Sequence, residues 1–406
     1  MRMGTRTVAV CAVVCLHGSG AAAQVKTMTL AEVLARAREH APQIVSARLT
    51  VEEARGRLLG AAVRFPTNPQ VDAALGNRNG PDNRFTDFQL GVGQNLEPAA
   101  RRSARIAAAT AAVAQSAVNV DEVTRTVLRA AASAYYRSVY ANDRIRLLNA
   151  AFEVASGVSS IAERRFKAGD IAVLDVNIAR VSLARVRADR EGAEAAKALA
   201  LGELRRILQL EDDVSVAGSL TPPAESSLDA ALQAVAQRPE LRALEAAIQE
   251  AEAERQLGVS LSKPEYGVGA RYSREEGDQI VLGAMTVTLP VFSKGQEQRA
   301  VASARATRLR AELDAARARV QLEVRAAFDA YTRRLAAVRV LEAEAIPGLD
   351  ENEQLTARSF DVGQLGLPAL LLIRREILDT RLQYLDALLE AALARTDLDA
   401  SAAILR

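Results

Sequence analysis

Two stretches of this chain repeat one another, residues 161–180 and residues 355–374. Each copy has an arginine, a phenylalanine two residues later, a glycine three residues after that, and then an apolar run. Long segments rich in Ala, Leu, Arg and Glu flank both copies. A glycine between two helical segments favours a hairpin tip, because Gly adopts the left-handed backbone that ends one helix and lets the next begin. The repeat therefore predicts two long helical hairpins.

The matching extends to both halves of the chain, residues 24–210 and 228–406, joined by a linker over 211–227 that contains Pro222-Pro223. Each half opens with a short amphipathic helix, preceded by Thr29 or Ser227 where an N-cap belongs, and continues with a second helix. Each then has a segment of period two and a long helical run to its tip. We place the β-hairpins at 71–96 and 266–290, and the tips near residues 169 and 363.

The predicted strands have one apolar face and one polar or small face, as in Tyr266, Val268, Ala270 and Tyr272 against the residues between them. Four such strands are too few to close a membrane barrel, because an open edge would leave backbone groups unpaired in lipid. Two chains would supply eight strands and three would supply twelve, and the spacing does not choose between them. The alternative is a soluble two-layer protein in which each hairpin packs on its own helices.

Residues 1–23 have the pattern of a secretory signal peptide: a basic start, an apolar core over residues 8–16, and Ala21-Ala22-Ala23 before the cut. The alternative is a flexible apolar N-terminus. Cys15 could instead carry a lipid, although the residues before it fit a lipobox poorly. Beyond this segment no run of about 18 apolar residues predicts a transmembrane helix. The expectation is a soluble, lipid-anchored or outer-membrane β-barrel protein.

Removing the signal peptide leaves few groups for chemistry. Both cysteines and His17 lie within it, so His40 would be the one mature histidine, which argues against a zinc or copper site in a single chain. The loss of Arg2 and Arg6 leaves 50 basic against 50 acidic residues, a balance that does not suggest nucleic-acid binding. No catalytic set or phosphate-binding loop is present. We expect no enzyme and no cofactor.

The double repeat, the tips Arg-Phe-Lys-Ala-Gly-Asp at 165–170 and Ser-Phe-Asp-Val-Gly-Gln at 359–364, and the strand ends at 96–98 and 289–290 resemble the TolC family of outer-membrane efflux proteins. Among its branches the sequence looks most similar to the CzcC-like components of heavy-metal pumps. The resemblance implies a mainly α fold, with long helical hairpins forming an α-barrel continuous with a transmembrane β-barrel that trimerisation completes. It also implies an outer-membrane exit duct that extends into the periplasm. The implied partners are outer-membrane lipid, a periplasmic adaptor and an inner-membrane pump. A protein-secretion duct of type I, or a periplasmic coiled-coil adaptor, are the alternatives.

The resemblance also implies roles for the tips as a gate and as the adaptor contact. Asp175 matches an acidic position that lines the family's constriction, and with Asp170 it would form an acidic ring favouring cations. The competing interpretation makes Asp170 the N-cap of the returning helix and Asp175 a solvated helix residue. In the second repeat the corresponding positions hold Leu365, Ala369 and Leu372, so the family's charged gate residues are absent there. The candidate adaptor contacts are Phe166, Gly169, Leu174, Phe360, Gly363 and Leu367.

Two further groups have two interpretations each. Tyr135, Tyr136 and Tyr331 could line a tunnel, but bulky residues at helical spacing are more typical of packing. Arg101 and Arg102, just after the first hairpin, could contact lipid head groups or the tunnel wall, and a solvated basic turn is the simpler interpretation.

Overall fold

The computed structural model describes residues 26–81 and 83–405. The predicted signal peptide and Cys15 lie outside this part of the chain. The first half contains β1 (Lys26–Met28), α1 (Leu30–His40), α2 (Pro42–Ala62), β2 (Gln70–Asn79), β3 (Arg84–Leu96), α3 (Ala99–Lys167), α4 (Val173–Leu208) and β4 (Val214–Val216). The second half contains α5 (Leu228–Ala234), a 3-10 turn (Val235–Gln237), α6 (Pro239–Ser260), β5 (Glu265–Glu275), β6 (Asp278–Thr288), α7 (Gln296–Val340), a π-helical segment (Leu341–Ala345), α8 (Ile346–Asp361) and α9 (Leu367–Ser401).

Local sequence explains most helix starts and ends. The Thr29 side chain accepts a hydrogen bond from the Glu32 amide, and the Glu32 carboxylate accepts one from the Thr29 amide, which forms a capping box at the start of α1. Ser227 occupies the N-cap of α5 without such a side-chain bond. A proline is the first residue of both α2 and α6. At this position the backbone N–H would have no hydrogen-bond acceptor within the helix, so its absence from proline costs nothing.

The two long helical runs differ in continuity. The 69 residues of α3 form one uninterrupted helix, on the order of 100 Å long at 1.5 Å per residue. The matching run in the second half passes through the π segment before Pro347. Pro347 has no N–H, and its ring would meet the carbonyl oxygen four residues earlier in a regular α-helix, so a wider turn precedes it. Beyond it, Arg381 on α9 holds α8 through ion pairs of 2.6 Å to Asp350 and 2.9 Å to Glu353.

The main core lies midway along the helices, where α1, α3, α4 and α9 meet. Leu128, Leu204 and Leu208 are fully buried in this region. A small parallel pair of β1 and β4 joins the core and matches Lys26–Met28 with Val214–Val216. The sequence alone did not predict this pair, because three residues carry no periodic signal and their partners are 188 positions away.

The other sheet is antiparallel, in the order β2-β3-β5-β6, and lies at one end of the helices. Both hairpins therefore join edge to edge, with β3 paired to β5. The tips after α3 and α8 lie at the opposite end from the sheet, because α3 begins at the sheet and runs to its tip without a break.

Candidate functional site: an exposed apolar sheet and two hairpin tips

The register of the four-stranded sheet places most of the large apolar residues of its strands on one face. Directly paired residues in antiparallel strands point to the same side. Leu90 lies between Ala73 on β2 and Tyr272 on β5, and Tyr272 pairs in turn with Val281 on β6. Leu96 and Tyr272 share this face and are half-buried. The exposed large apolar side chains of this face are Val71, Leu75, Phe88, Leu90, Val92, Tyr266, Val268, Val281, Met285 and Val287. We call this set the apolar face.

The apolar face is open to its surroundings. Its ten large side chains are between 38% and 77% exposed. The interpretation in which each hairpin packs on its own helices is therefore wrong, because such packing would bury these side chains. At about 25 cal/mol per Å² of apolar area, leaving so many of them in water is strongly unfavourable, so this face indicates a non-aqueous environment or a partner.

The opposite face is polar or small over most of its area. Asp72, Arg271 and Ser273 lie there, together with glycines such as Gly269. A Cβ on Gly269 would lie 2.8 Å from the carbonyl oxygen of Val92, so glycine is what allows β3 and β5 to approach at this point. Three large apolar residues also lie on this side, Phe85 on β3 and Ile280 and Leu282 on β6.

Both edges of the sheet are open within the described residues. β2 pairs only with β3, and β6 only with β5. An edge strand presents unpaired N–H and C=O groups, which water can satisfy and hydrocarbon cannot. The four strands are thus paired in one continuous sheet, but its two edge strands do not meet to close a barrel.

Arginines tie the base of the sheet to the helices. The Arg101 guanidinium pairs with Glu265 at the start of β5 and donates a hydrogen bond of 3.2 Å to the Lys263 carbonyl. Arg102 donates to the Ala62 carbonyl at 3.1 Å, at the end of α2. The interpretation as a solvated basic turn is wrong for Arg101, whose side chain is only 11% exposed. Its partner is 164 positions away, beyond the reach of a local pattern.

The two tips have the same backbone. Gly169 has φ of +85° and Gly363 has φ of +79°. The amide after each glycine donates back across the turn at 2.9 Å, from Asp170 to the Arg165 carbonyl and from Gln364 to the Ser359 carbonyl. These are the bonds that close a helix end around a left-handed glycine.

The tips pack against each other within the chain. Val158, Ala162, Val176 and Ala179 of the first hairpin are buried together with Leu367, Leu370 and Leu371 of the second. Phe360 packs on this cluster, and the Arg165 guanidinium lies 5.9 Å from its ring centroid. Leu367 was predicted as an adaptor contact, but its side chain is 6% exposed and belongs to this core. Phe166 and Leu174, by contrast, are 44% and 64% exposed.

Comparison with known proteins identifies this arrangement. A family model described as outer membrane efflux protein matches residues 33–209. This is the fold of outer-membrane efflux channels. The chain is 25% identical over 320 residues to the cobalt-zinc-cadmium resistance protein CzcC of Cupriavidus metallidurans, covering 75% of this chain and 74% of that protein.

Solved structures agree over nearly the whole length. A crystal structure of CusC superposes with a TM-score of 0.75 at 17% identity, covering 92% of this chain and 91% of that one. The CmeC outer membrane channel of Campylobacter jejuni gives 0.73 at 14% identity, covering 92% and 85%. The resemblance to the TolC family and its CzcC-like branch is confirmed, and so is the fold class of long helical hairpins joined to a β-sheet, as in these channels.

Within this efflux fold the predicted gate residues have separate environments. The helix after the first tip begins at Val173 with Ala172 as its N-cap, so the interpretation of Asp170 as the N-cap is wrong. Asp170 is exposed, and the Asp175 carboxylate accepts a hydrogen bond of 3.3 Å from the Ala172 amide. Asp175 is thus a capping acid in the first helical turn rather than only a solvated residue.

The second-repeat gate positions differ from one another. Leu365 is half-buried on the tip core, and Ala369 is half-buried on α9. Leu372 is 68% exposed. Of the three, Leu372 therefore offers the most apolar surface to whatever faces the hairpins.

The tyrosines of the efflux fold serve packing. Tyr135 donates to the Ala217 carbonyl at 2.8 Å, and Tyr136 packs edge-on against its ring at 5.5 Å. Tyr331 is 1% exposed and donates to the Ala224 carbonyl. The sequence did not single out Tyr140, which donates to the Asp386 carboxylate at 2.5 Å and ties α3 to α9. Burial, with that bond and its charge, raises the pKa of Tyr140 to about 12.

The described residues contain neither a metal-binding cluster nor a helix that could span a bilayer. No three His, Cys, Asp or Glu side chains among them are grouped closely enough to hold a metal ion. Across residues 26–81 and 83–405, no helix is both long and apolar enough to cross a bilayer.

Proposed function

We propose that this chain is the outer-membrane exit channel of a tripartite efflux system, acting as a passive conduit and not as an enzyme. The observation that carries the proposal is the apolar face. Its strands are 10 to 13 residues long, which matches the 9–11 residues of a tilted membrane-crossing strand. Lipid around this face would remove its exposed side chains from water.

Three copies of the chain complete the channel in this proposal. The two open edges of the sheet require a partner strand in lipid, and β6 of one copy would pair with β2 of the next. Three copies of a four-stranded sheet give a twelve-stranded barrel. The similarity in fold to the CmeC outer membrane channel supports this assembly.

The hairpin tips would meet a periplasmic adaptor, which connects the channel to an inner-membrane pump. The length of α3 supports this, since about 100 Å places the tips far from the membrane. Phe166 and Leu174 remain exposed there, whereas Leu367 is occupied by the core. Asp170 and Asp175, in three copies, would form the acidic ring that favours cations.

Metal cations are the proposed cargo. The support is the similarity to a cobalt-zinc-cadmium resistance protein over three quarters of the chain. Expressing the chain in a strain that lacks its own exit channel for metal efflux should restore growth in cobalt, zinc or cadmium. Restored secretion of a protein substrate with unchanged metal tolerance would instead favour a type I secretion duct. The third alternative, a periplasmic coiled-coil adaptor, would leave the apolar face in water.

Cross-linking between edge strands tests the assembly. With residues 1–23 removed the chain has no cysteine, so introduced thiols are unique. Val71→Cys on β2 combined with Val287→Cys or Met285→Cys on β6 should give covalent trimers in detergent-extracted membranes. Val71→Cys with Leu199→Cys on α4 is the matched control and should remain monomeric on a denaturing gel. A soluble monomer, or a ladder that stops at dimers, contradicts the proposal.

A further inference from the structure

The connections between sheet and helices form an exposed belt of aromatic, aliphatic and basic side chains. β2 begins, β5 begins and β6 ends at this level, because the sheet is antiparallel throughout. Its members are Arg64, Phe65, Lys263, Val291, Phe292 and Lys294, and we call them the basal collar. Arg64 and Phe65 lie below one edge of the sheet, Lys263 below its centre, and Phe292 and Lys294 below the other edge.

The apolar members of the basal collar are unusually exposed. Phe292 is 91% exposed, Val291 59% and Phe65 47%. The Arg64 guanidinium lies 5.7 Å from the Phe65 ring centroid, so a cation and an aromatic ring are in contact here. Exposed rings beside cations, next to the end of an exposed apolar sheet, are typical of the boundary between lipid and water.

The cations of the basal collar are available to a ligand. Neighbouring acids are already paired, Glu265 with Arg101 and Glu97 with Arg105. Arg64, Lys263 and Lys294 are exposed and form no ion pair with another described residue. Glu297, in the first turn of α7, is the next acid along the chain after Lys294.

We propose that the basal collar binds the periplasmic surface of the outer membrane, with its aromatic rings in the head-group layer and its three cations on phosphates of anionic phospholipids. The inference rests on the proposed function, because it needs the sheet to lie in a bilayer. Long Arg and Lys side chains can extend from an apolar surface towards phosphates while their stems remain among acyl chains. The collar would fix the depth of the channel in the membrane and select anionic lipids around it.

A single tryptophan reporter tests this, since the sequence has no tryptophan. Phe292→Trp, Val281→Trp and Leu199→Trp would each be reconstituted as the full chain in vesicles of phosphatidylcholine and phosphatidylglycerol, with one lipid brominated at a time. Val281 and Leu199 are both 77% exposed, on the apolar face and on α4 respectively. Phe65→Trp is a second collar reporter should Phe292→Trp assemble poorly.

We expect deep bromines to quench Val281→Trp, bromines near the head group to quench Phe292→Trp, and neither to quench Leu199→Trp. Brominated phosphatidylglycerol should quench Phe292→Trp more than brominated phosphatidylcholine in equal mixtures, with local enrichment up to about fivefold per contacting cation. Adding Lys294→Gln to the Phe292→Trp chain should lower that ratio towards one.

Two results would overturn the inference alone. Quenching of Val281→Trp without quenching of either collar reporter would place the collar outside the bilayer surface while the barrel stands. Equal quenching by both lipids would refute the phosphate contacts. Absence of quenching at Val281→Trp would instead refute the proposed function, and the inference with it.

Discussion

Replacing Arg105 with alanine should lower the free energy of unfolding by about 3–5 kcal/mol, because it leaves a buried carboxylate unpaired. Arg105 lies in the second turn of α3 and pairs with Glu97, at 3.1 Å from Nε to Oε1 and 2.5 Å from Nη2 to Oε2. The Glu97 side chain is 6% exposed. Arg105 also donates to the carbonyls of Gly60 and Val63, at 3.1 and 3.2 Å, so it joins α2, β3 and α3 at one point.

Arg55→Ala is the matched control, since Arg55 and Glu52 form an ion pair of 2.6 Å with both side chains 60% exposed. Exposed pairs contribute about 0–1 kcal/mol. Urea unfolding of the detergent-solubilised protein, followed by circular dichroism, measures both variants. The double change Arg105→Met with Glu97→Gln should recover most of the loss, because no charge remains buried. Equal losses for Arg105→Ala and Arg55→Ala would refute the argument.

Other perturbations follow from single positions. Gly169→Ala should lower the free energy of unfolding by about 1–2 kcal/mol, because a Cβ is unfavourable in the left-handed backbone of this residue. Gly192→Ala should raise the free energy of unfolding by about 0.5–1 kcal/mol, because Gly192 is helical and has open space around it; thermal unfolding measures both. Leu367→Ala should lower the free energy of unfolding by about 2–5 kcal/mol and speed hydrogen exchange at the tips. Unchanged exchange would contradict the burial of Leu367 in the core between the two tips. Asp175→Asn should weaken cation preference in single-channel conductance, and an unchanged preference would remove the acidic ring. Because the folded Tyr140 loses its proton only near a pKa of about 12, stability should fall from about pH 10 to pH 12, and Tyr140→Phe should show a smaller fall.

Periodicity in the sequence predicted much of the secondary structure. The proline-free run after the first hairpin is one helix, and the alternation around Tyr266 to Tyr272 is a strand. Both signals are local: they arise from residues within one or two turns of a helix, or a few positions of a strand. The cross-strand register added what alternation alone could not, by aligning the apolar sides of separate strands on one face.

The functional residues were less predictable, because their partners are distant in sequence. Arg101 reads locally as part of a basic turn, yet it pairs with Glu265. Leu367 reads as an exposed tip residue, yet the first hairpin covers it. The helix after Gly169 starts three residues beyond Asp170, so the turn geometry, and not the acid itself, decides which carboxylate caps it. The gate ring and the adaptor contacts remain predictions.

The π segment Leu341–Ala345 makes the two hairpins mechanically unequal. A continuous α-helix such as α3 resists bending along its whole length, since every turn is braced by hydrogen bonds of the same kind. In the second hairpin that bracing changes at one place, just before Pro347. We therefore expect the second tip to bend mainly at the π segment, so that α8 moves as one short unit. The Arg381 ion pairs to Asp350 and Glu353 hold α8 to α9 and limit this motion. We expect the first hairpin to be stiff along its whole length and the second to bend at one position.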